Sequence, residues 1–479
     1  MSIEDADFGL EISKGVLAKF GKVLIGFIGS VIFARILGPS GYGTFYVIHT
    51  LVNVLDNPVT GWGEACKKRI TEVEFPSSEA LGSVLIGATI LPLAVIPLVY
   101  LSQRFTGIYD LSGLLIPFSV LFITLSYFKV TNRILSARAN FSAAEWADTL
   151  RSFLTTPLQL GFVLIGMGVA GMVYGLAAAT ALSIPYVLYK IGISPELPRR
   201  GSLSSIASYA KYSIPNGFIG TTKARIDILL LGAFISSSAV GEYQVSMQLT
   251  IAGTFIGGAA ASGLMGRISA HQSQNNTSAV VNDVNNSLGY ASILAIPIFF
   301  GATAMPNELI ITVFGQQYGD TGLILVGLAL YQVISMQSAQ LSATVAGLDR
   351  PQVNTWVGIL VLILNICLGY VLLIAYGSLG VVIATIISVI VQYISLSYVI
   401  KSQIPDIALF SRPLQHQLIA GVVMFICVDT LHNMIGISWW GELAMLVSTG
   451  GLIYFVVLIA ISGSFRITVR GIISDIIYE

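Results

Sequence analysis

Apolar runs of about 20 residues, separated by short polar breaks, follow one another along this chain. Wound as a helix, a run of that length crosses the hydrocarbon core of a bilayer, which is about 30 Å thick. Inside lipid the backbone hydrogen bonds must be made within the segment, so each run is predicted to be one transmembrane helix. We expect an all-α polytopic membrane protein with about 14 transmembrane helices, near residues 16–37, 42–64, 80–101, 111–134, 146–168, 171–191, 207–234, 239–264, 287–313, 321–346, 354–375, 379–400, 415–433 and 441–462.

The composition of the 479 residues excludes most soluble classes of protein. Hydrophobic residues make up 55% of the chain and charged residues only 10%, whereas a soluble protein carries about 25% charged residues to cover its surface. Lysine plus arginine and aspartate plus glutamate number 24 each, so no nucleic-acid partner is expected. The three cysteines lie far apart and no His-Glu-x-x-His motif occurs, so neither a metal nor a cofactor is expected.

Positive charge marks one side of the predicted membrane. If both termini are inside, the outer loops hold only Arg104, with Arg35 at the outer end of the first span. Such asymmetry follows the positive-inside rule and predicts a multi-pass protein of the cytoplasmic membrane with both termini cytoplasmic. The inner loops then hold Lys67, Lys68, Arg69, Arg138, Lys190, Arg199, Arg200, Arg267, Arg350, Lys401, Arg412, Arg466 and Arg470.

The second half of the chain resembles the first at an offset of about 200 residues. Leu135-Ser136-Ala137 recurs as Leu341-Ser342-Ala343, and Gly175 before Ala179-Thr180 recurs as Gly380 before Ala384-Thr385. Corresponding elements are six spans apart, so the two copies have the same orientation in the membrane. We expect an N-terminal six-helix lobe at 1–200, a C-terminal six-helix lobe at 201–405, and two additional C-terminal helices with a short tail at 406–479.

Polar side chains form a stripe along the second predicted span. His49, Asn53, Asp56 and Thr60 are spaced 4, 3 and 4 residues apart, and Asn57 lies beside them. At 3.6 residues per turn they share one helix face, which lipid would not accept. The stripe either packs against a neighbouring helix or faces a hydrated lumen, where Asp56 is a candidate proton or cation site.

The seventh predicted span repeats this spacing with Ser213, Asn216, Gly220, Lys223 and Asp227. Lys223 and Asp227 either neutralise each other at i, i+4 or face the lumen. Arg225 lies about 160° from Lys223 around the predicted helix, so one face cannot present all three charges to one ligand. Lys223 and Asp227 are therefore the first candidates, and Arg225 is the second.

Other cations lie near helix ends. Lys22 shares one face of the first span with Lys19, and Lys129 and Arg133 share one face of the fourth. Long cationic side chains near helix ends commonly extend to the headgroups, and this alternative is open for all four. Lys22, Lys129, Arg133 and Arg35 otherwise join Lys223 and Arg225 as candidates for a cationic cavity.

Residues 32–45 (IFARILGPSGYGTF) resemble the opening signature of polysaccharide or lipid-linked oligosaccharide flippases, in the multidrug/oligosaccharidyl-lipid/polysaccharide exporter superfamily. Residues 347–351 (GLDRP) and 377–380 (GSLG) are similar to features of that family's second lobe. The resemblance implies a two-lobed transporter with a cationic cavity. Such a protein moves a saccharide linked to a polyprenyl phosphate or pyrophosphate across the membrane by alternating access.

Two other functions are open at this point. A cation-coupled multidrug or metabolite exporter of the same superfamily would use the acidic stripe at Asp56 rather than the cations. A membrane-embedded glycan polymerase or ligase usually carries a large charged outer loop, and the outer loops here are short and nearly uncharged. We expect a monomeric transporter, with the lipid-linked saccharide and membrane lipids as partners and glycan-assembly enzymes as further candidates.

Overall fold

A computed structural model of the chain describes residues 3–72, 75–106, 109, 111, 113–435 and 439–467, with the backbone alone for 3–24, 104 and 106. The described residues are almost entirely helical and contain no strand, so the predicted fold class is confirmed. The α-helices are α1 (Ile3–Leu55), α2 (Asn57–Ile70), α3 (Ser77–Thr106), α4 (Leu115–Ala137), α5 (Phe141–Phe162), α6 (Gly168–Ile191), α7 (Arg200–Lys223), α8 (Ile226–Phe234), α9 (Ser237–Thr250), α10 (Phe255–Ser273), α11 (Thr277–Tyr290), α12 (Ala295–Ala304), α13 (Pro306–Phe314), α14 (Gly322–Gly347), α15 (Pro351–Tyr376), α16 (Ser378–Lys401), α17 (Arg412–Ile435) and α18 (Trp440–Ile461).

Eleven stretches of the described chain are long and apolar enough to cross a membrane, and some hold more than one crossing. Residues 141–191 form one such stretch of 51 residues, which as a straight helix would be about 75 Å long. The chain instead turns at Gly166 and Gly168, whose φ angles are 89° and 52°, values that glycine adopts without strain. Helices α5 and α6 then pack side by side. This stretch therefore holds two crossings, so the protein has more crossings than the eleven stretches, and the predicted number of 14 is approximate.

A second turn lies inside α1, at the break predicted between residues 37 and 42. Gly38 has a φ of 68°. Ile25 and His49, on either side of it, line one cavity of about 300 Å³, although a continuous helix would place them about 36 Å apart. The two halves of α1 therefore run back along each other.

By packing, the chain divides into two compact units, Met1–Gly241 and Glu242–Glu479. In the first unit α4 packs on α6, and α5 pairs with α6; in the second α14 packs on α16, and α15 pairs with α16. Gly175 and Gly380 lie at these helix contacts, and a Cβ at either would overlap backbone of the facing helix. Domain boundaries at 200 and 405 stay a prediction from the sequence repeat.

The first unit includes α7, which packs along α2. Ser213 donates its hydroxyl to the Gly61 carbonyl at 2.8 Å, and Arg69 reaches Ser208 at 2.6 Å. The span predicted as one helix at 207–234 is interrupted, because α7 ends at Lys223 and α8 begins at Ile226. Arg225, in the turn between them, has a φ of −135°. The expectation that Lys223, Arg225 and Asp227 are phased as on one helix is therefore wrong.

Candidate functional site

The first unit encloses a cavity of about 640 Å³ whose lining is rich in charged and polar side chains; we call it the polar cavity. Its walls come from α1, α2, α4, α5, α7 and the turn after α7. It is lined by His49, Asn53, Asn57, Thr60, Lys67, Leu125, Phe128, Lys129, Asn132, Arg133, Ser136, Ala144, Glu145, Asp148, Arg151, Thr221 and Arg225.

The polar stripe of α1 and α2 fixes one of these cations, Lys129. Its Nζ lies 2.9 Å from Asn53 Oδ1 and 3.1 Å from Asp56 Oδ2. Asp56 is fully buried behind Lys129 and also accepts hydrogen bonds from Ser126 and, at 2.7 Å, from Thr60. Burying a carboxylate is tolerated because both its oxygens are paired. Lys129 therefore points into the protein rather than to the headgroups.

Two arginines of the cavity are also ion-paired. Arg133 on α4 pairs with Glu64 on α2. Arg151 on α5 pairs with Asp148 at 2.7 Å, and its guanidinium lies 5.2 Å from the centre of the Phe128 ring. These pairs hold the cations in place but neutralise much of their charge.

The remaining cations, Lys67 and Arg225, pair with no carboxylate in the part of the chain that the structure describes. Arg225 lies close to His49 and Tyr46, at the end of the cavity away from Lys67. The five cations of the cavity face four carboxylates, Asp56, Glu64, Glu145 and Asp148, which leaves a net charge of +1. An unpaired guanidinium in a part-buried site is costly, and an anionic ligand would lower that cost.

A hydrogen bond helps to place Arg225. The Thr221 hydroxyl donates to Asn57 Oδ1 at 3.2 Å, which ties the last turn of α7 to the start of α2. The amide nitrogen of Asn57 in turn donates to the carbonyls of Asn53 and Val54. The turn that carries Arg225 follows within four residues of Thr221, so this contact holds it beside the polar stripe.

A second cavity, of about 300 Å³, adjoins the first and shares His49 and Arg151 with it. Nearly every other side chain in its wall is aromatic, aliphatic or a hydroxyl, and we call it the aromatic cavity. It is lined by Ile25, Gly26, Gly29, Ser30, Phe33, Tyr42, Phe45, Tyr46, His49, Arg151, Ser152, Phe153, Thr155, Thr156, Gln159, Met172 and Leu176.

The structure brings half of the predicted site residues together. His49, Asn53, Asn57, Lys129, Arg133 and Arg225 line the polar cavity, with Asp56 directly behind it. Asn216 lines a neighbouring cavity of about 610 Å³ between α2 and α7, together with Lys67. Lys223 and Asp227 are half-buried, Arg35 is exposed, and none of these three lines the polar cavity. The Lys22 side chain lies outside the described residues.

Two cavity cations were not predicted as site residues, Lys67 and Arg151. Lys67 was assigned to an inner loop on charge alone. Arg151 belongs to a polar stripe on α5, where Asp148, Arg151, Thr155 and Gln159 are spaced 3, 4 and 4 residues apart. Steps of three and four residues also revealed the stripe of the second span, so the signal was present in the sequence.

Comparison with known proteins identifies a matching family profile and two relatives from one organism. The profile of the family described as "Polysaccharide biosynthesis protein" matches residues 32–322. The "Probable low-salt glycan biosynthesis flippase Agl15" of Haloferax volcanii is 25% identical over 388 residues, covering 78% of this chain and 80% of that protein. The "Probable flippase AglR" of the same organism is 23% identical over 475 residues, covering 97% and 99%.

Among solved structures, the lipid II flippase MurJ in an inward closed conformation has a TM-score of 0.80 at 15% sequence identity. The match covers 95% of this chain and 99% of that one, and it shows a shared fold. The profile match spans more than half of the sequence. The chain therefore belongs to the polysaccharide biosynthesis protein family.

Proposed function

We propose that this protein is a flippase, a transporter rather than an enzyme, which moves a saccharide linked to a polyprenyl phosphate or pyrophosphate across the cytoplasmic membrane by alternating access. The observation that carries the proposal is the polar cavity with its unpaired Arg225. The cavity is within the range of about 300–1,000 Å³ that is common for small-molecule sites. Its cationic side chains can bind a phosphate, and side-chain amides that can form hydrogen bonds line the same cavity.

The chemistry of the cargo explains the arrangement. A phosphate cannot enter hydrocarbon without compensation of its charge, because burial of an isolated anion is very costly. Arg225 can bind phosphate oxygens through two parallel N–H donors, and Lys67 can add a second charge at the other end of the cavity. Lys129, Arg133 and Arg151 keep the cavity polar. Because each is paired with a carboxylate, they add little net positive charge, and the phosphate is not bound too tightly to be released.

The relatives support the same function. Both Haloferax proteins carry the name of flippase, one of them in low-salt glycan biosynthesis, and the match to AglR extends over nearly the whole of both chains. We therefore include a lipid-linked glycan as substrate in the proposal. Membrane lipids as surroundings and cytoplasmic termini also belong to it, the termini on the basis of the loop charges. A monomer and an association with glycan-assembly enzymes belong to it as well.

The rival function, a cation-coupled exporter, would need a carboxylate that can exchange a proton or a sodium ion. Asp56 was the candidate for this role. Its Oδ1 accepts from Ser126, and its Oδ2 accepts from Thr60 and Lys129. Because both oxygens are occupied by protein donors, the geometry supports an anchoring role for Asp56 rather than ion coupling.

The test is a flipping assay in proteoliposomes with a fluorescent polyprenyl phosphohexose. Arg225→Ala should lower the flipping rate about tenfold or more, since a charge-assisted contact to phosphate is lost. Arg225→Lys should retain part of the rate, because the charge remains but the planar fork does not. Arg350→Ala removes an exposed arginine after α14 and serves as the matched control. A wild-type rate for well-folded Arg225→Ala would refute the proposal.

A further inference from the structure

The polar and aromatic cavities follow one another along the same two elements. On α5, Asp148 lines only the polar cavity, Thr156 and Gln159 line only the aromatic cavity, and Arg151 lines both. On α1 the order is reversed, and His49 is the shared residue. The two cavities are therefore consecutive compartments whose boundary is formed by Arg151 and His49.

Polar atoms at and beyond this boundary have no partner in the described part of the chain. His49 Nδ1 and Arg151 Nε are buried and form no hydrogen bond. Gln159 is only 4% exposed; its amide nitrogen donates to the Met172 carbonyl at 2.9 Å, while no donor reaches its Oε1. The Thr156 hydroxyl likewise binds no described residue. The Thr156 hydroxyl and Gln159 Oε1 stay accessible from the cavity, so a ligand with its own donors and acceptors can pair with both.

The other residues that line the aromatic cavity indicate which class of ligand it binds. Phe45 stacks on the His49 ring, with centroids 6.0 Å apart, and Tyr46 meets the same ring edge-on. Gly26 lines the cavity without a side chain and has nothing within 4 Å of where a Cβ would be, so a ring can approach the α1 backbone there, whereas Gly29 is in contact with Thr156. Flat aromatic faces with a few hydroxyls and one amide suit a sugar ring, which has apolar C–H faces and polar edges. An isoprenoid chain would leave every one of these polar atoms unpaired.

We infer that the aromatic cavity is the subsite for the hexose ring that is bonded directly to the phosphate, with Thr156 and Gln159 as its hydrogen-bonding residues. The inference rests on the proposed function, since it takes the phosphate to be in the polar cavity. The stretch of α5 from Arg151 to Gln159 is about 12 Å long, which leaves room for one ring beyond the phosphate. The subsite makes the protein select lipids that carry a sugar over the bare lipid phosphate.

The experiment compares two probes, polyprenyl phosphate and the same lipid with one hexose, by binding to the full-length protein in nanodiscs. Thr156→Val removes a hydroxyl and should weaken binding of the hexose lipid by about threefold to tenfold. Thr156→Phe fills the cavity and should weaken it by more than about tenfold. Both variants should leave the affinity for polyprenyl phosphate unchanged, whereas Arg225→Ala should weaken binding of both lipids.

Thr149→Val and Thr149→Phe are the matched controls, because Thr149 lies on the same helix and lines neither cavity. Equal losses for the two lipids in the Thr156 variants, or no loss for either, would overturn the sugar subsite and leave the flippase proposal standing. A wild-type protein that binds neither lipid would overturn both proposals.

Discussion

At the scale of single residues, the contact between Asp56 and Lys129 predicts how a substitution of Asp56 changes the stability of the protein. Asp56→Asn leaves the Lys129 ammonium without a counter-charge, and should lower the free energy of unfolding by about 1–3 kcal/mol. The loss of about 3–5 kcal/mol that is typical of breaking a fully buried ion pair is not expected, because the Lys129 side chain is 25% exposed. The measurement is the thermal unfolding temperature in detergent, with the exposed Asp406→Asn as control.

A double variant separates charge from packing. Asp56→Asn with Lys129→Met removes both charges and should restore part of the stability that either single change loses. If Asp56→Asn unfolds at the wild-type temperature, or if the losses of the two single variants simply add, the anchoring role of Asp56 is wrong.

What could be predicted at this scale depended on whether a helix stays regular. The stripe of His49, Asn53, Asp56 and Thr60 was found from spacing alone, because Asp56, between α1 and α2, keeps helical backbone angles (φ −78°, ψ −9°) and the helix face continues across the junction. Whether a stripe faces a cavity or another side chain was not predictable, because it depends on which helix packs beside it. Ser126 and Lys129 bind the Asp56 carboxylate, and only the fold brings α4, which carries them, next to Asp56. Arg151 was missed although its stripe has the same spacing.

Glycines at the helix contacts give a prediction at the scale of elements. Gly175→Ala would push a Cβ into the backbone of Gln159, and Gly380→Ala would push one into the Leu372 carbonyl. Each change should separate its helix pair and lower the unfolding temperature by several degrees. Gly161 and Gly358, on the partner helices α5 and α15, have nothing within 4 Å of a Cβ.

The control substitutions should have the opposite sign. Gly161→Ala and Gly358→Ala meet no obstacle and should stabilise their helices by up to about 1 kcal/mol, because alanine loses less backbone entropy than glycine. The contrast is measured by the same thermal unfolding assay. Unchanged stability in Gly175→Ala or Gly380→Ala would mean that the close helix contacts of the two units do not matter for stability.

Helix breaks mark where element-scale prediction succeeded and where it failed. The turn at Gly38 was predicted because Gly38-Pro39, followed by Gly41 and Gly43, interrupts the apolar pattern there. The break after Lys223 has no glycine or proline within two residues, so sequence alone favoured one continuous helix. Because of this turn, Arg225, the second candidate from the sequence, lines the polar cavity, and Lys223, one of the first candidates, does not.

At the scale of the molecule, the basic segments of the first unit gather at one end. Arg69 at the end of α2 bonds the Ser205 carbonyl near the start of α7 at 3.0 Å. Arg138 after α4 bonds the last carbonyl of α6, at Ile191. Arg199 before α7 pairs with Glu79 at the start of α3. Loops that the positive-inside rule assigned to one side are therefore neighbours in space, as that assignment requires, and the side of the membrane on which they lie stays a prediction.

Cysteine labelling tests that orientation. Thr106, at the far end of α3 from Glu79, is predicted to be outside, and Asn276, the N-cap residue of α11, is predicted to be inside. The variants should be built on a cysteine-free chain because Cys367 is exposed. In intact cells a membrane-impermeant maleimide should label Thr106→Cys at once and Asn276→Cys only after the cells are permeabilised. The reverse pattern would invert the predicted topology and place the Lys67 end of the polar cavity outside.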